Sequence, residues 1–265
     1  MNKISSLQNP LIKEIVLLQS KSKERKLRDT IVIEGTKEIS VANEAGVIFK
    51  KVLFCPDLIA EEEMKNIVGK QIEHTEIVEI SPAVFSKISY RETTGGLVVL
   101  AEIPSKELSD LQVGEQSVFI VLEAVEKPGN LGAICRVADA AQVSGVIICD
   151  PQTDIYNPNA IRSSLGCVFA VDVVSSTFEE TIAWLKENNI RSYATELRAS
   201  EYYHNLDLGG KIALVFGTEA TGLSEKWIKN ADMRVKIPMG GIIDSLNVNT
   251  SVAILTFEAM RQRGF

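Results

Sequence analysis

Three short segments of the sequence hold the polar residues whose types and spacing could support chemistry. The first, EKPGNLGAICR, contains Asn130 and Arg136, and the second, GTEATGLS, contains Glu219. The third, IPMGGIIDSLNV, carries Ser245 and Asn247 near its end. Such amide, hydroxyl, carboxylate and guanidinium groups bind and orient a ligand through hydrogen bonds. Because each segment follows a predicted strand, we expect all three to meet at one edge of a sheet and form one site.

The segment around Asn130 has the features of a helix start that faces a ligand. Pro128 and Gly129 turn the chain after a predicted strand, and we expect a helix to begin near Leu131. Asn130 would then lie beside the free N–H groups of the first turn, which can hold an anion. Arg136 lies about one and a half turns further along, and its planar guanidinium suits a phosphate or a carboxylate. Taken alone, an asparagine cap and an internal salt bridge explain the segment at least as well.

The other two segments also have simple structural explanations. Gly217 lets the backbone approach a ligand and Gly222 closes the turn, with Glu219 projecting from the loop between them. An ordinary loop with a helix-capping carboxylate accounts for these residues equally well. Ser245 and Asn247 have the residue types that cap a final helix. Each segment is a weak signal alone, and their combination is the stronger one.

The composition indicates a folded protein with one large domain or two modest ones. Of the 265 residues, 45% are hydrophobic and 24% charged, and no apolar run reaches the roughly 20 residues that span a bilayer. The start MNKISSLQNP has no signal-peptide core, so we expect a cytoplasmic protein that does not enter a membrane. The net charge is −7, yet residues 1–37 hold eight Lys/Arg against four Asp/Glu. This basic arm could bind phosphates or could simply be a solvated helix face.

The cysteines and histidines do not suggest a metal site. The four cysteines, Cys55, Cys135, Cys149 and Cys167, are scattered without CxxC spacing, and three of them lie in apolar surroundings, which favours buried free thiols over a disulfide framework or a zinc site. The two histidines, His74 and His204, are isolated and are predicted to lie on the surface. We therefore expect neither a disulfide framework nor a metal centre.

Residues 1–104 are predicted to form a small, mostly parallel α/β domain. A helix over residues 10–28 begins with Pro10 and becomes basic toward its end. Strands and helices then alternate, with strands at 30–35, 51–55, 76–81 and 97–103 and helices at 36–45, at 60–69 and after Ser81-Pro82. The polar residues 105–116 are predicted to be a linker.

Residues 117–265 are predicted to form a second, doubly wound α/β domain. Its strands are expected at 117–125, 146–150, 171–176, 192–197, 212–217 and 233–238. Its helices are expected at 131–142 and 157–166, from a capping box at Thr177 to about Asn189, from Ser224, and from about Ser245. In such folds, ligands bind beyond the carboxyl ends of the strands.

The three segments, at this spacing and in this order, resemble the motifs of the SpoU (TrmH-type) family of RNA ribose 2′-O-methyltransferases. The first motif appears as NLGAICR, the second as GTEATGLS, and the third as IPM followed by SLNV. Residues 31–104, with IEGTKEI and TTGGLVVLAE, resemble the substrate-binding domain of the same family. The resemblance covers nearly the whole chain.

The resemblance implies a fold, a cofactor and a set of site residues. The C-terminal domain would be an α/β knot, a deep trefoil knot with the last helix threaded through a loop, preceded by a small α/β RNA-binding domain. The cofactor would be S-adenosyl-L-methionine (AdoMet), without a metal. The positions that match catalytic or RNA-contacting residues are Asn130, Arg136, Glu219, Ser245 and Asn247. The positions that match the cofactor pocket are Thr195, Gly217, Ile237, Met239 and Leu246.

The resemblance also implies partners and residue roles. Members of the family are homodimers in which both subunits complete the active site, and the extra N-terminal domain favours ribosomal RNA over transfer RNA as substrate. Family proposals make Arg136 the general base, but a guanidinium keeps its proton in proteins, so we expect it to hold a phosphate and polarise the 2′-oxygen. Glu219 is expected to orient Arg136 or another motif group.

Two other classes of function stay open at the level of the sequence. The protein could be a catalytically silent RNA-binding or scaffolding protein of the same fold, although its intact motif residues speak against this. A nucleotide-dependent α/β enzyme such as a dehydrogenase is disfavoured, because GNLG is not the glycine fingerprint of a dinucleotide site.

Overall fold

The computed structural model of the protein describes residues 2–90 and 95–264, and these residues form two compact units. Unit 1 comprises Met1–Pro104 and Asp154–Ala170, and unit 2 comprises Ser105–Thr153 and Val171–Phe265. Thr93 and Thr94 of the TTGG motif lie outside the described residues. Within the described ranges, no helix has the length and apolar character needed to cross a membrane.

Unit 1 is built on a five-stranded mixed sheet. Its strands are β1 Asn2–Ile4, β2 Ile31–Glu34, β3 Phe49–Phe54, β4 Glu76–Ile80 and β5 Leu97–Ala101, arranged in the order β1-β4-β3-β5-β2. Strands β1, β4 and β3 are parallel, whereas β5 runs antiparallel to both of its neighbours, β3 and β2. The expectation of a mostly parallel sheet is therefore wrong for β5. Alternating helices and strands in a sequence do not by themselves determine strand direction.

The helices of unit 1 cover this sheet. Those in its N-terminal part are α1 Pro10–Ser20, α2 Ser22–Arg28, α3 Thr36–Glu44, α4 Glu61–Val68 and α5 Pro82–Ile88. Apolar residues of α1 and α5 pack on the strands, among them Ile12, Ile15, Leu18, Val84 and Phe85. The single helix expected over residues 10–28 is two helices, because Lys21 adopts an extended conformation between them.

Unit 2 contains a seven-stranded, fully parallel sheet. Its strands are β6 Val118–Glu123, β7 Gly145–Cys149, β8 Val173–Ser176, β9 Arg191–Thr195, β10 Glu201–Tyr202, β11 Ile212–Phe216 and β12 Met233–Lys236. The order is β10-β12-β9-β11-β6-β7-β8, and the sequence pattern missed only the two-residue β10. Every residue of β7 and β11 is buried, as expected for strands covered on both faces.

The helices that flank the second sheet place the motif segments. The first is α6 Pro128–Ala140, which follows β6. It is followed in unit 2 by α9 Phe178–Glu187, α10 Glu225–Asn230 and α11 Val248–Gln262, whereas the short helices α7 Pro158–Ser163 and α8 Cys167–Ala170 belong to unit 1. The predicted capping box of α9 is present, since Thr177 and Glu180 exchange both hydrogen bonds.

The segment Asp154–Ala170 packs with unit 1, although the sequence pattern grouped it with residues 117–265. One anchor is Arg25, which is only 2% exposed and contacts Asp154 with an N–O distance of 2.6 Å. Its Nη1 also donates to the carbonyl of Leu18. Arg25 therefore has a structural role and is not available to a partner.

The predicted linker also packs as part of a unit. Leu111 is 5% exposed and lies in the core of unit 2, with Leu108 and Val113 packed against the same cluster.

Three cysteines, Cys55, Cys135 and Cys149, are buried free thiols, which confirms that part of the sequence analysis. Burial raises the pKa of Cys149 to about 12, so this thiol is unreactive at neutral pH.

Candidate active site

Helix α6 begins three residues earlier than the sequence pattern indicated, and this changes the position of Asn130. Pro128 is the first helical residue and Lys127 is the N-cap. Asn130 is consequently the third residue of the helix and does not cap it. Its Nδ2 donates a hydrogen bond of 3.0 Å to Oε1 of Glu219, which lies in the loop after β11.

The loop that carries Glu219 is closed tightly by its two glycines. Thr218 and Gly222 pair with each other through two backbone hydrogen bonds. A Cβ on Gly217 would lie 2.1 Å from the carbonyl carbon of Gly222, so no larger residue fits at position 217. Gly222 itself has a φ of +70°, a conformation that glycine adopts without strain. The loop therefore holds Glu219 in a defined position.

Glu219 joins the three motif segments. Its Oε1 accepts hydrogen bonds from the side-chain amides of Asn130 and Asn247, and its Oε2 pairs with the ammonium of Lys127. We call these four side chains the Glu219 cluster. The hydrogen bond from Lys127, aided by that from Asn130, holds the pKa of Glu219 below its ordinary value. The carboxylate is therefore ionised at neutral pH and acts as an acceptor for both amides.

Asn247 combines a capping role with its place in the cluster. It is the N-cap of α11, and its Oδ1 accepts a hydrogen bond of 3.0 Å from the backbone N–H of Asn249. Its Nδ2 is thereby directed to Glu219. Ser245 does not cap the helix, which begins only at Val248; its Oγ donates to Asp244 at 3.2 Å. The structural and functional explanations of Asn247 are thus compatible.

Arg136 lies exposed on α6 and is available to a ligand. Nothing in the described part of the chain forms a hydrogen bond or an ion pair with its guanidinium. The internal salt bridge considered for this residue is therefore wrong. In the described residues, the side chain of Glu219 accepts hydrogen bonds from two other motif groups, Asn130 and Asn247, and none from Arg136.

A cavity of about 600 Å³ lies at the carboxyl ends of β9, β11 and β12. All five residues predicted to contact a cofactor line it, namely Thr195, Gly217, Ile237, Met239 and Leu246. Glu219 and Ser245 also line this cavity, whereas Asn130, Arg136 and Asn247 do not. The volume falls in the usual range of small-molecule sites, about 300–1,000 Å³.

Sequence reasoning missed two polar residues of this region. Lys127 binds Glu219, and its only sequence signal is its position between a strand end and the helix-starting Pro128. Glu196 lines the cavity directly after β9, in the position where strand-end carboxylates contact ligands in α/β folds.

In the described residues, no group of three or more His, Cys, Asp or Glu side chains is arranged to hold a metal ion.

The fold and site define a ligand-binding domain of the parallel α/β class, with its cavity at the carboxyl edge of the sheet. Family models identify it further: that of the SpoU rRNA methylase family matches residues 117–257, and that of the MRM3-like substrate binding domain matches residues 9–99. The chain belongs to the SpoU rRNA methylase family.

Relatives and solved structures agree with this assignment. A 23S rRNA (guanosine(2553)-2′-O)-methyltransferase of Bacillus subtilis is 26% identical over 257 residues, covering 97% of this chain and 98% of that protein. A solved RNA 2′-O ribose methyltransferase is 35% identical, with a TM-score of 0.86 and 99% and 100% of the two chains covered. An AdoMet-bound rRNA methyltransferase from Sinorhizobium meliloti is 29% identical, with a TM-score of 0.91 and 98% and 97% covered.

Proposed function

We propose that this protein transfers the methyl group of AdoMet to a ribose 2′-hydroxyl of ribosomal RNA. The observation that carries the proposal is the Glu219 cluster, which joins all three motif segments, with Glu219 itself lining the 600 Å³ cavity. The similarity to methyltransferases named for 23S rRNA supports the substrate class. The same similarity favours ribosomal RNA over transfer RNA.

The cavity fits AdoMet in its size and in the chemistry of its walls. Strand-end loops supply backbone groups from Gly217, Ile237 and Leu246, and Glu196 supplies a carboxylate without a hydrogen-bond donor in the described chain. When bound, AdoMet supplies an activated methyl group on a sulfonium that leaves as a neutral sulfide. No metal is needed for this chemistry. Thr195 and Met239 complete the set of residues that we assign to cofactor binding.

The Glu219 cluster positions the reacting groups. Asn130 and Asn247 are held by one carboxylate, so the start of α6 and the start of α11 are fixed relative to the β11 loop. Ser245, at the cavity wall, contacts the cofactor or the RNA. Fixing reactants in line supplies several kcal/mol of a barrier, up to about 7–11 kcal/mol in ideal cases.

Arg136 binds the RNA at the methylation site. Its guanidinium is exposed and unpaired within the described residues, and a guanidinium is a donor only, with no acceptor atom. It therefore holds the phosphate beside the target nucleotide and polarises the 2′-oxygen, and does not act as a base; the hydroxyl proton leaves to water as the O–C bond forms and the C–S bond breaks.

Unit 1 binds the RNA backbone. It contains the match to a substrate-binding domain, and Lys13, Lys21, Lys23 and Lys26 are exposed on α1, α2 and the residue between them. This local positive charge explains how a protein of net charge −7 binds an anionic partner.

The protein acts as a knotted homodimer in the cytoplasm. The chain passes from β12 across β9 to α11, which packs on α6, β6 and β11, a path that supports a trefoil knot. Ile242 and Ile243 are exposed in the loop before Asn247, and a second subunit would cover them. A ribosomal substrate is consistent with the cytoplasmic location.

The proposal is tested by methyl transfer from radiolabelled AdoMet to ribosomal RNA, with calorimetry for cofactor binding. Transfer to ribosomal RNA that is lost in Arg136→Ala supports it. A protein that binds RNA but neither binds AdoMet nor transfers a methyl group would be a scaffold, and the proposal would be wrong.

A further inference from the structure

Glu196 lies in the cavity wall with unused hydrogen-bonding capacity. It follows β9 directly, and its backbone N–H donates to the carbonyl of Val235 at 2.9 Å, which fixes its position. Its Oε2 is buried, and no donor in the described part of the chain hydrogen-bonds to it. The cation recorded beside it is Arg234, whose Nη1 lies 3.6 Å away, within ion-pair range but too far for a hydrogen bond.

An acceptor in this state favours a ligand that brings donors. A buried polar atom without a partner is destabilising, and an ionised carboxylate can accept about four hydrogen bonds. The Arg234 side chain is 53% exposed, so its distant charge offsets little of this cost. Thr195, the neighbouring residue, already donates its hydroxyl to the carbonyl of Val215. The missing donors must therefore come from water or from the molecule that fills the cavity.

The charge around Glu196 selects the kind of donor. Arg198 and Lys236 line the same cavity, and Arg234 lies beside the carboxylate. Glu219, Glu225 and Asp244 also line the cavity, so its wall as a whole is not positive. The repulsion on a further cation at Glu196, such as the ammonium of the methionine half of AdoMet, therefore comes from Arg234. A neutral vicinal diol meets no such repulsion and offers two hydroxyl donors to one carboxylate. Carboxylates at strand ends of α/β folds bind ribose hydroxyls in this way.

We propose that Glu196 binds the ribose 2′- and 3′-hydroxyls of the cofactor's nucleoside half and thereby sets the preference for a ribonucleoside over a 2′-deoxyribonucleoside. This inference rests on the proposed function, because it takes AdoMet as the occupant of the cavity. Glu196 belongs to none of the three motif segments, so its role is separate from that of the Glu219 cluster.

The test is calorimetry of the full-length protein with S-adenosylhomocysteine, adenosine, 2′-deoxyadenosine and methionine. Glu196→Ala removes hydrogen bonds to a charged group. It should therefore weaken the binding of S-adenosylhomocysteine and of adenosine about 10- to 100-fold. The wild-type preference for adenosine over 2′-deoxyadenosine should disappear in the same variant. Glu196→Gln, which keeps the side-chain volume and one acceptor, should be intermediate and should melt at the wild-type temperature.

Two matched variants separate ligand binding from a structural role. Arg234→Ala removes the neighbouring cation, and Glu201→Gln removes an exposed carboxylate on β10 that does not line the cavity. Both should bind S-adenosylhomocysteine within about twofold of wild type. Equal losses in Arg234→Ala and Glu196→Ala would show that only the ion pair matters and would overturn the inference.

Other outcomes are equally decisive. Unchanged affinities in Glu196→Ala, or a loss confined to the ligand that carries the methionine half, would overturn the diol assignment and leave the proposed function intact. A wild-type protein that binds neither S-adenosylhomocysteine nor AdoMet would overturn the proposed function together with this inference.

Discussion

Replacing Glu219 by glutamine tests the Glu219 cluster with little change in shape. In the wild type, Oε1 accepts two amide N–H groups and Oε2 faces the ammonium of Lys127. A glutamine can keep its single oxygen toward Asn130 and Asn247 only by turning its own NH2 toward Lys127. In the alternative orientation, the NH2 group of the glutamine faces the side-chain NH2 groups of Asn130 and Asn247, so that three donors meet without an acceptor. Either way, the two charge-assisted bonds that position the asparagines become neutral or are lost.

The size of the effect follows from the number of bonds. A hydrogen bond to a charged group contributes about 1.5–3 kcal/mol and a neutral one about 0.5–1.5 kcal/mol, so each bond weakens by about 1 kcal/mol. Two such bonds give about 2 kcal/mol, which corresponds to roughly 30-fold in rate. The Glu219 side chain is 25% exposed, and solvent screening reduces this figure. We expect kcat to fall about 5- to 30-fold.

The assay is methyl transfer to ribosomal RNA under single-turnover conditions, with AdoMet affinity measured separately. The Kd for AdoMet should change less than the rate, because the recorded partners of Glu219 are protein groups. Glu179→Gln is the matched control, since Glu179 pairs with Lys226 at 2.9 Å on the surface and its pKa is likewise lowered by that lysine. It should be fully active. Full activity in Glu219→Gln would refute the positioning role.

Four further predictions follow from the same contacts. Arg136→Ala should abolish turnover and leave AdoMet affinity nearly intact in calorimetry; near-normal methylation would remove Arg136 from the site. Lys127 holds the pKa of Glu219 down, so activity in the wild type is lost only as pH falls through that depressed value. In Lys127→Met the pKa rises, and the acidic limb of the pH–rate profile should move to higher pH; an unmoved limb would contradict this. Gly217→Ala should destabilise the protein by about 1–3 kcal/mol or more, since its Cβ would overlap the backbone of Gly222, and an unchanged Tm would argue against the loop geometry. RNA affinity should fall steeply with salt concentration. In a plot of log affinity against log salt concentration, each phosphate contact should add roughly 0.7–0.9 to the slope, and a flat response would exclude the basic arm from RNA binding.

The convergence of the motif segments could be predicted from the sequence, because it depends only on strand order along the chain. Glu219 follows a buried strand, and the fully parallel sheet of unit 2 brings such loops to one edge. The true start of α6 was also readable, since Pro128 is favoured at the first helical position.

Other features depend on tertiary contacts that local patterns do not encode. Counting charges cannot show that Arg25 is buried against Asp154, which is 129 residues away. The pairing of Lys127 with Glu219 joins residues 92 positions apart for the same reason. The antiparallel direction of β5 and the packing of Asp154–Ala170 on unit 1 likewise depend on how the chain returns, not on its periodicity.

The most direct test of the central claim is a map of 2′-O-methylated nucleotides in total RNA from cells with the wild-type protein, cells without it, and cells with the Arg136→Ala variant. The proposed function predicts one 2′-O-methyl group in ribosomal RNA that is present only with the wild-type protein. Identical maps of ribosomal RNA in all three strains would contradict it, and a difference confined to transfer RNA would contradict the assigned substrate.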